Sequence, residues 1–428
     1  MKNKINIKKK ILPAVLALLL FPAVSEAQET KPLTPEDCYQ LARQHFPLAK
    51  QQDLITKSRD YSLANASKGY FPQTGIYGQA TYQSDVTKIA VPIPNVTIPS
   101  PDKDQYKLYG ELVQPLTDLL VIKTQKSLYE ANAGIQLQSL EVELYKLRER
   151  INQLFFGILL ADEQIAQTEL LKKDIAAGID KLNAAVNNGT AVKSNADELR
   201  AELLKAEQRK TELKSMRKAY GDMLALFINQ PVDEKTKFVR PGNKAPSNTV
   251  SRPELNLFER QKKSFDFQDK LLTAKAAPRV SLFFQAGYGK PAFNIFSDEF
   301  DFYYIGGARL SWSLTTFYTL KNERKALGIS RDQLDLQRET FLLNTNLALK
   351  QQDNEISRYS ELVKNDREII ALRKSIREAA TAQLENGTIT ATDYLLKVNA
   401  EDQARQNLTL HEMQQLLAEY NYQATSGN

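Results

Sequence analysis

The sequence predicts an α+β membrane protein built from one long unit used twice, each copy carrying long antiparallel coiled-coil helices and two membrane-crossing β-strands. A duplication runs the length of the chain, four alternating strands stand at matched places in the two copies, and the helical stretches outrun any ordinary globular domain. Pro47 and Pro72 map onto Pro253 and Pro278 at an offset of 206. Leu116-Thr117 and Asn188-Gly189-Thr190 map onto Leu314-Thr315 and Asn386-Gly387-Thr388 at an offset of 198. The slip falls at the Pro-rich segment 84–103, which is longer than its counterpart at 290–301. Self-similarity over so long a period marks an architecture assembled from repeated supersecondary units.

Residues 1–27 read as a secretory signal: Lys2, Lys4 and Lys8 to Lys10 precede an apolar stretch over 11–24 that ends in the small-x-small pattern Ser25-Glu26-Ala27. The mature chain is therefore expected to be exported, and no Cys follows the cleavage point to carry lipid. The five lysines and Glu26 of this leader carry most of the formal charge of +6, leaving about +2, so the basic balance is no footprint for nucleic acid. Cys38 stands alone and rules out an intrachain disulfide framework. His45 and His411 are the only histidines, and no Cys/His cluster has metal-ligand spacing. A nucleophile elbow, a phosphate loop and a dinucleotide turn are all missing; Gly287-Tyr288-Gly289 runs into Lys-Pro and reads as strand. The expectation is a protein that is not an enzyme and holds no cofactor or metal.

The first repeat spans 28–250. Thr34-Pro35-Glu36-Asp37 places an N-cap, a first-turn proline and acids at the start of a helical stretch over about 34–70, interrupted at Pro47. Strands follow over about 73–83 and 104–115, a long helix over about 116–188 and a return helix over about 192–228. The segment 230–250, with Pro231, Pro241, Gly242 and Pro246, reads as a linker. In the second repeat, 251–428, a helix over about 253–277 leads to strands over about 279–289 and 301–313, a long helix over about 314–386 and a return helix over about 390–424. The return helices are about half as long as the outgoing ones, so the pre-strand helices are expected to complete each hairpin end to end.

The strands alternate with period two. Ile76, Gly78, Ala80 and Tyr82 oppose Gln79, Thr81 and Gln83, and Tyr106, Leu108, Gly110 and Leu112 oppose Lys107 and Glu111. Val280, Leu282, Phe284, Ala286 and Tyr288 oppose Ser281 and Gln285; Phe302, Tyr304, Ala308, Leu310 and Trp312 oppose Asp301, Arg309, Ser311 and Ser313. Such strands fit the wall of a membrane barrel with a wet lumen. A half-buried sheet in a soluble protein would show the same alternation.

No proline interrupts 116–186, and apolar residues fall there on heptads: Leu137, Leu144, Ile151, Ile158 and Ile165, with Leu140, Leu147, Leu154 and Ala161 three residues on. Leu342, Leu349, Ile356, Val363 and Ile370 repeat the first stripe, whereas the partner positions become Arg338, Thr345 and Gln352. About 70 residues at 1.5 Å each give a helix on the order of 100 Å. Each long helix ends at an Asn-Gly-Thr tip with Gly where helix C-termini favour it. Four strands cannot close a barrel, since about eight is the practical minimum, so a barrel reading requires several copies of the chain.

In the order helix, strand, loop, strand, long helix, tip, and in Leu33-Thr34-Pro35-Glu36, Arg252-Pro253-Glu254-Leu255 and the two Gly-Thr tips, the whole mature chain resembles the TolC family of outer-membrane efflux and secretion ducts. The resemblance implies a homotrimer in the outer membrane, with a β-barrel among the lipids joined to an α-helical barrel in the periplasm. It further implies a passive conduit whose tips (Asn188, Gly189, Thr190, Asn386, Gly387, Thr388) dock a periplasmic adaptor linked to an inner-membrane pump. An acidic ring at the periplasmic constriction would fall on Asp393; the positions of further gate residues hold Asn195, Leu396 and Ile389 instead. Asp393 is equally accounted for as a helix-start acid facing the dipole. A periplasmic coiled-coil scaffold would also explain the heptads, and the cargo is left open because the partner pump selects it.

Overall fold

The computed structural model describes residues 32–88, 100–189, 192–245, 249–294 and 297–428. The expected leader, Pro92, Pro94, Pro99 and Pro246 therefore lie outside the described residues. Thr34 opens α1 (Pro35–His45) with a reciprocal cap: its hydroxyl accepts from the Asp37 amide at 3.1 Å while the Asp37 carboxylate accepts from the Thr34 amide at 3.1 Å. Pro47 opens a 3-10 turn to Lys50, and α2 (Gln51–Lys68) follows. Then come β1 (Gln73–Tyr82), β2 (Asp104–Pro115), α3 (Asp118–Tyr145), α4 (Leu147–Asn187) and α5 (Lys193–Ile228). The second half holds α6 (Pro253–Lys275), β3 (Arg279–Lys290), β4 (Asp301–Ser311), α7 (Thr316–Glu385) and α8 (Ala391–Ser426).

The two halves agree to the residue at the ends of their long and return helices. An offset of 198 carries Asp118 to Thr316, Asn187 to Glu385, Lys193 to Ala391 and Ile228 to Ser426. It also carries Asn229, the one non-glycine residue with left-handed backbone among those described, onto Gly427, likewise left-handed. The outgoing helix of the first half is irregular at Lys146, which keeps helical angles (φ −61°, ψ −19°), whereas α7 runs 70 residues without a break.

Three packing features differ from simple end-to-end hairpins. In the lower half α5 returns along α4 and α8 along α7, as the heptads require, and α8 also packs on α4. In the upper half, however, α6 lies between α3 and α7 and makes the larger contact with α3 of the first repeat. The segment 230–245, read from sequence as a linker, is a packed strap. Leu33 pairs with Phe238 as a parallel bridge, and the buried Arg217 donates to Asp162 at 2.5 Å and to the carbonyls of Asp233 and Thr236 at 2.9 and 3.1 Å. Under this strap lies the main core, with Ile151, Phe155, Ile158, Leu224 and Ile228 fully enclosed and Phe238 edge-on to Phe155 at 5.3 Å.

The expected stripes divide accordingly. Ile151, Ile158, Leu140, Leu147, Leu154 and Ala161 are buried, as are Leu349 and Val363, while Leu137, Leu144 and Ile165 are only half-buried. Two of the polar positions find partners: Gln352 donates to the Thr425 hydroxyl at 3.0 Å, and the Thr345 hydroxyl donates back to the Phe341 carbonyl at 2.8 Å.

The four strands form one antiparallel sheet in the order β1-β2-β3-β4. Its register sets Ile76 beside Gly110 and Ala286, and Leu108 beside Tyr288 and Phe302, so every even-numbered residue lies on one face. In β2 and β3 this apolar face is the open one and the odd-numbered face the more enclosed, the inverse of a soluble sheet. Leu108 is 60% exposed, Ile76 84% and Phe302 80%. Among the described residues the outer edges of β1 and β4 pair with nothing.

Removal of the Phe155 ring, which anchors strap to core, is expected to cost about 3–5 kcal/mol by loss of burial and the cavity left behind. Thermal melting of Phe155→Ala, followed by circular dichroism, should show a clearly lowered midpoint, with the strap becoming cleavable by added protease.

Candidate functional site: the helical tips

At the lower ends of the helices the two hairpins meet around Ile175, Ile179, Leu199, Tyr394, Leu395 and Val398, a second apolar cluster separate from the main core. Gly178 permits the approach: a Cβ there would come within 2.7 Å of Leu199 and 3.5 Å of Tyr394. Polar links cross between the hairpins on the way to the tips. Thr392 donates to Glu198 at 2.8 Å, Asn399 to Glu202 at 3.2 Å, and Lys181 pairs with Glu385.

Both tips turn on a left-handed glycine, Gly189 at φ +72° and Gly387 at φ +67°, with open space where a Cβ would stand. At the second tip the Gly387 amide donates to the Leu384 carbonyl at 3.0 Å and the Thr388 amide to the Gln383 carbonyl at 2.9 Å, the paired bonds of a Schellman end. The Asn386 side chain adds a bond to the Ala382 carbonyl at 2.8 Å. At the first tip the Gly189 amide reaches the Val186 carbonyl at 3.0 Å and Asn188 caps the helix, while Thr190 lies outside the described residues. The six residues read as docking tips thus form two narrow, solvent-facing turns as far as they are described.

Asp393 sits in the first turn of α8. Its carboxylate accepts from the Thr390 hydroxyl at 2.7 Å and the Thr390 amide at 3.2 Å, and the Thr390 hydroxyl accepts from the Asp393 amide at 3.1 Å. The helix-start role is therefore real. The bonds from Thr390 hold this carboxyl below its ordinary range, helped by Lys397 one turn on. The side chain is nonetheless exposed, as is Leu396 on the next turn at 60%. Asn195, the equivalent of Asp393, is half-buried, and the bond from Thr392 to Glu198 brings its turn alongside that of Asp393. The first repeat lacks the cap: Val192 replaces Thr390 and offers no side-chain acceptor.

Deeper along α8, sequence reading missed a buried charged step. Glu401 accepts from Arg377 at 2.5 Å and Arg405 at 2.6 Å. Burial alone would raise its carboxyl, yet the two guanidiniums hold it low. Asp402, next in the chain, is raised by burial despite bonds from Gln167 at 3.5 Å and Gln406 at 2.6 Å. An i,i+4 Glu-Arg pair was visible in Glu401 and Arg405; Arg377 comes from another helix and gave no local signal. No group of His, Cys, Asp and Glu among the described residues could hold a metal ion.

This arrangement of one sheet, two long hairpins and two glycine tips matches solved structures along nearly the whole chain. It superimposes on the outer membrane protein VceC of Vibrio cholerae with a TM-score of 0.64 at 13% identity, over 92% of this chain and 96% of that one. The CmeC outer membrane channel of Campylobacter jejuni gives 0.62 at 12% identity, over 99% and 94%. The open state of the MtrE outer membrane channel of Neisseria gonorrhoeae gives 0.56 at 13%, over 92% and 88%. The chain has the fold of the TolC-family outer-membrane channels. No sequence-family model and no curated protein sequence matches it. The fold is thus matched at a sequence identity of only 12–13%.

The Asp393 cap predicts a pH response of known sign. Its folded-state pKa lies below the unfolded value of about 3.9, so the stabilisation is complete above that pH and is lost as pH falls through the folded value. Hydrogen-exchange protection in the first turn of α8, the rate corrected for the intrinsic pH dependence of amide exchange, should fall on acidification through that window, and Asp393→Asn should abolish that fall. A pH-independent protection factor in the native protein would contradict the assignment.

Proposed function

We propose that this protein is the outer-membrane exit duct of a tripartite efflux or type I secretion system, a passive homotrimeric conduit from periplasm to exterior. The observation that carries the reading is the inverted sheet. Soluble monomers rarely expose contiguous apolar patches beyond a few hundred Å², yet here an entire sheet face is apolar and open. Lipid accounts for it, with the more polar, enclosed face lining water. Aromatic residues gather at both ends of the strands, as membrane interfaces favour. Phe300 lies 5.7 Å from Tyr288 and 6.3 Å from Tyr106 at the loop end; Trp312 packs on Phe317, with Phe71 and Tyr318 exposed nearby, at the helix end. A soluble coiled-coil scaffold leaves this face unexplained.

The same sheet argues for several copies. Backbone groups on the open edges of β1 and β4 cannot stay unpaired in hydrocarbon, and pairing β4 of one copy with β1 of the next satisfies both. Three copies give a twelve-stranded barrel, within the usual range. The helices support the same ring. Since α6 fills the groove between α3 and α7, its equivalent α2 has α3 on one side and an open place for a neighbour's α7 on the other. That α7 carries an exposed stripe of Ile329, Leu336, Leu343 and Leu347, and α2 exposes Leu54 and Tyr61. Within the chain Gln138 donates to the Pro253 carbonyl at 3.0 Å, and Gly134 abuts Arg260. The offsets carry these pairs to Leu336 with Pro47 and to Asp332 with Leu54, which would meet across the copy boundary.

On this reading the helical part stands in the periplasm, the tips bearing Gly189 and Gly387 dock an adaptor and through it a pump, and three copies of Asp393 line a periplasmic constriction with Leu396 and Asn195 beside it. Three exposed carboxylates around one axis favour cations.

Membrane fractionation and unheated gel electrophoresis test the reading together. The full chain should appear in the outer membrane as a species of three chains that heating dissociates, and Leu336→Arg should weaken that species. In planar bilayers Asp393→Ala should reduce block by divalent cations. A soluble monomer would refute the duct, and unchanged block would remove Asp393 from the constriction.

A further inference from the structure

The odd-numbered face of the sheet is less polar than a plain water-filled wall requires. The register places Tyr77 beside Tyr109 and, across Gly287, Tyr303. Tyr77 folds back over Gly75, whose absent Cβ would come within 2.8 Å of the ring, and it stacks on Tyr109 with centroids 5.4 Å apart. Tyr77 is pressed against the wall by its own strand yet remains 47% exposed. Elsewhere on this face an aromatic ring already carries a charged plane: Phe283 covers Gly307 and holds the Arg309 guanidinium 4.6 Å from its centroid.

Beside the tyrosine pair stands a cation with no ion pair among the described residues. Lys107 is half-buried two residues from Tyr109 on the same face, with Gln79 opposite it on β1. The neighbouring acids are engaged: Glu111 by Arg309 at 3.0 Å and Gln285 at 2.9 Å, Asp102 and Asp298 by Lys290 at 2.6 and 3.3 Å. Asp301 lies two strands away across Gly289 and accepts from the Phe302 amide at 2.8 Å. Among the described residues Lys107 makes no ion pair.

We propose that this face carries a binding site for aromatic anions, with Tyr77 and Tyr109 stacking the ring system and Lys107 pairing the carboxylate or sulfonate. Stacking supplies affinity for planar systems whatever their substituents, and the ammonium supplies the sign. The proposal rests on the duct reading for its setting, because only there is this face the wall of a path along which solutes leave. One site per copy would place three around the lumen.

The test uses the full-length protein, in detergent for binding by ligand-observed NMR and in planar bilayers for current block, with 2-naphthoate as the probe. Saturable binding is expected in both. Tyr77→Leu with Tyr109→Leu should weaken it roughly tenfold, the scale of one lost stacking contact, while Tyr77→Phe with Tyr109→Phe should retain it. Lys107→Gln should weaken naphthoate but leave neutral 2-naphthalenemethanol unaffected, and cyclohexanecarboxylate should not compete. Equal binding by cyclohexanecarboxylate, or naphthoate binding indifferent to the Tyr-to-Leu pair, would overturn the proposal. Channels that conduct normally but ignore naphthoate would sink this site and leave the duct intact. Tyrosine-dependent binding by a protein that forms no channel would do the reverse.

Discussion

On the proposed duct reading the rest of this molecule depends on one constraint: a strand edge in hydrocarbon has nothing to hydrogen-bond except another strand. The chain supplies four strands with an open apolar face, and among the described residues the edges of β1 and β4 are unmet. An even-numbered face of Ile76, Leu108, Phe284 and Tyr304 would be an aggregation liability in water. In a closed ring among lipids it is the stabilising surface. On the same proposal the duplication serves that need, since each half would contribute one pair of strands and one helical hairpin, as a pair of staves, to a wall made of several copies.

Those staves are stiffened unevenly. The strap and the main core clamp the middle of the chain, where Phe155, Ile158 and Leu224 are fully enclosed and Arg217 ties strap to helix. The tips rest on a smaller cluster rich in alanine, on the close approach at Gly178, and on exposed polar links such as Thr392 to Glu198. Exposed links of this kind contribute roughly 0–1 kcal/mol each. The second tip is capped by Thr390 and Asp393 and closed by a Schellman end, whereas α5 starts at Val192 with no cap. Local stability therefore falls toward the tips, and further at the first than at the second.

The sequence showed most of this plan because its strongest signals are periodic. Alternation located the sheet face by face, since a one-residue slip would have turned Leu108 and Phe284 to the wrong side. Proline and glycine marked where helices stop. What sequence did not show depends on pairing between distant elements. The place of α6 against α3, the packing of 230–245 over Phe155, and the pairing of Arg377 with Glu401 join residues with no shared period. Asp393 illustrates the boundary: it was readable as a helix-start acid, whereas its capping bonds with Thr390, which set the carboxyl's titration, came from the structure. The aromatic character of the odd-numbered face was likewise hidden, because alternation drew attention to Gln79, Lys107 and Glu111 and away from Tyr77, Tyr109 and Tyr303.

The central claim is that identical copies close head to tail, β4 to β1 and α7 to α2. The measurement that tests it most directly is thiol cross-linking of Leu54→Cys with Asp332→Cys in membranes by a short bismaleimide, Cys38 being buried and its thiol pushed up to about 12 by burial and the acids beside it. The account predicts covalent dimers and trimers with nothing larger, and none from either single variant. Uncross-linked monomer, or a ladder running beyond three chains, would contradict it.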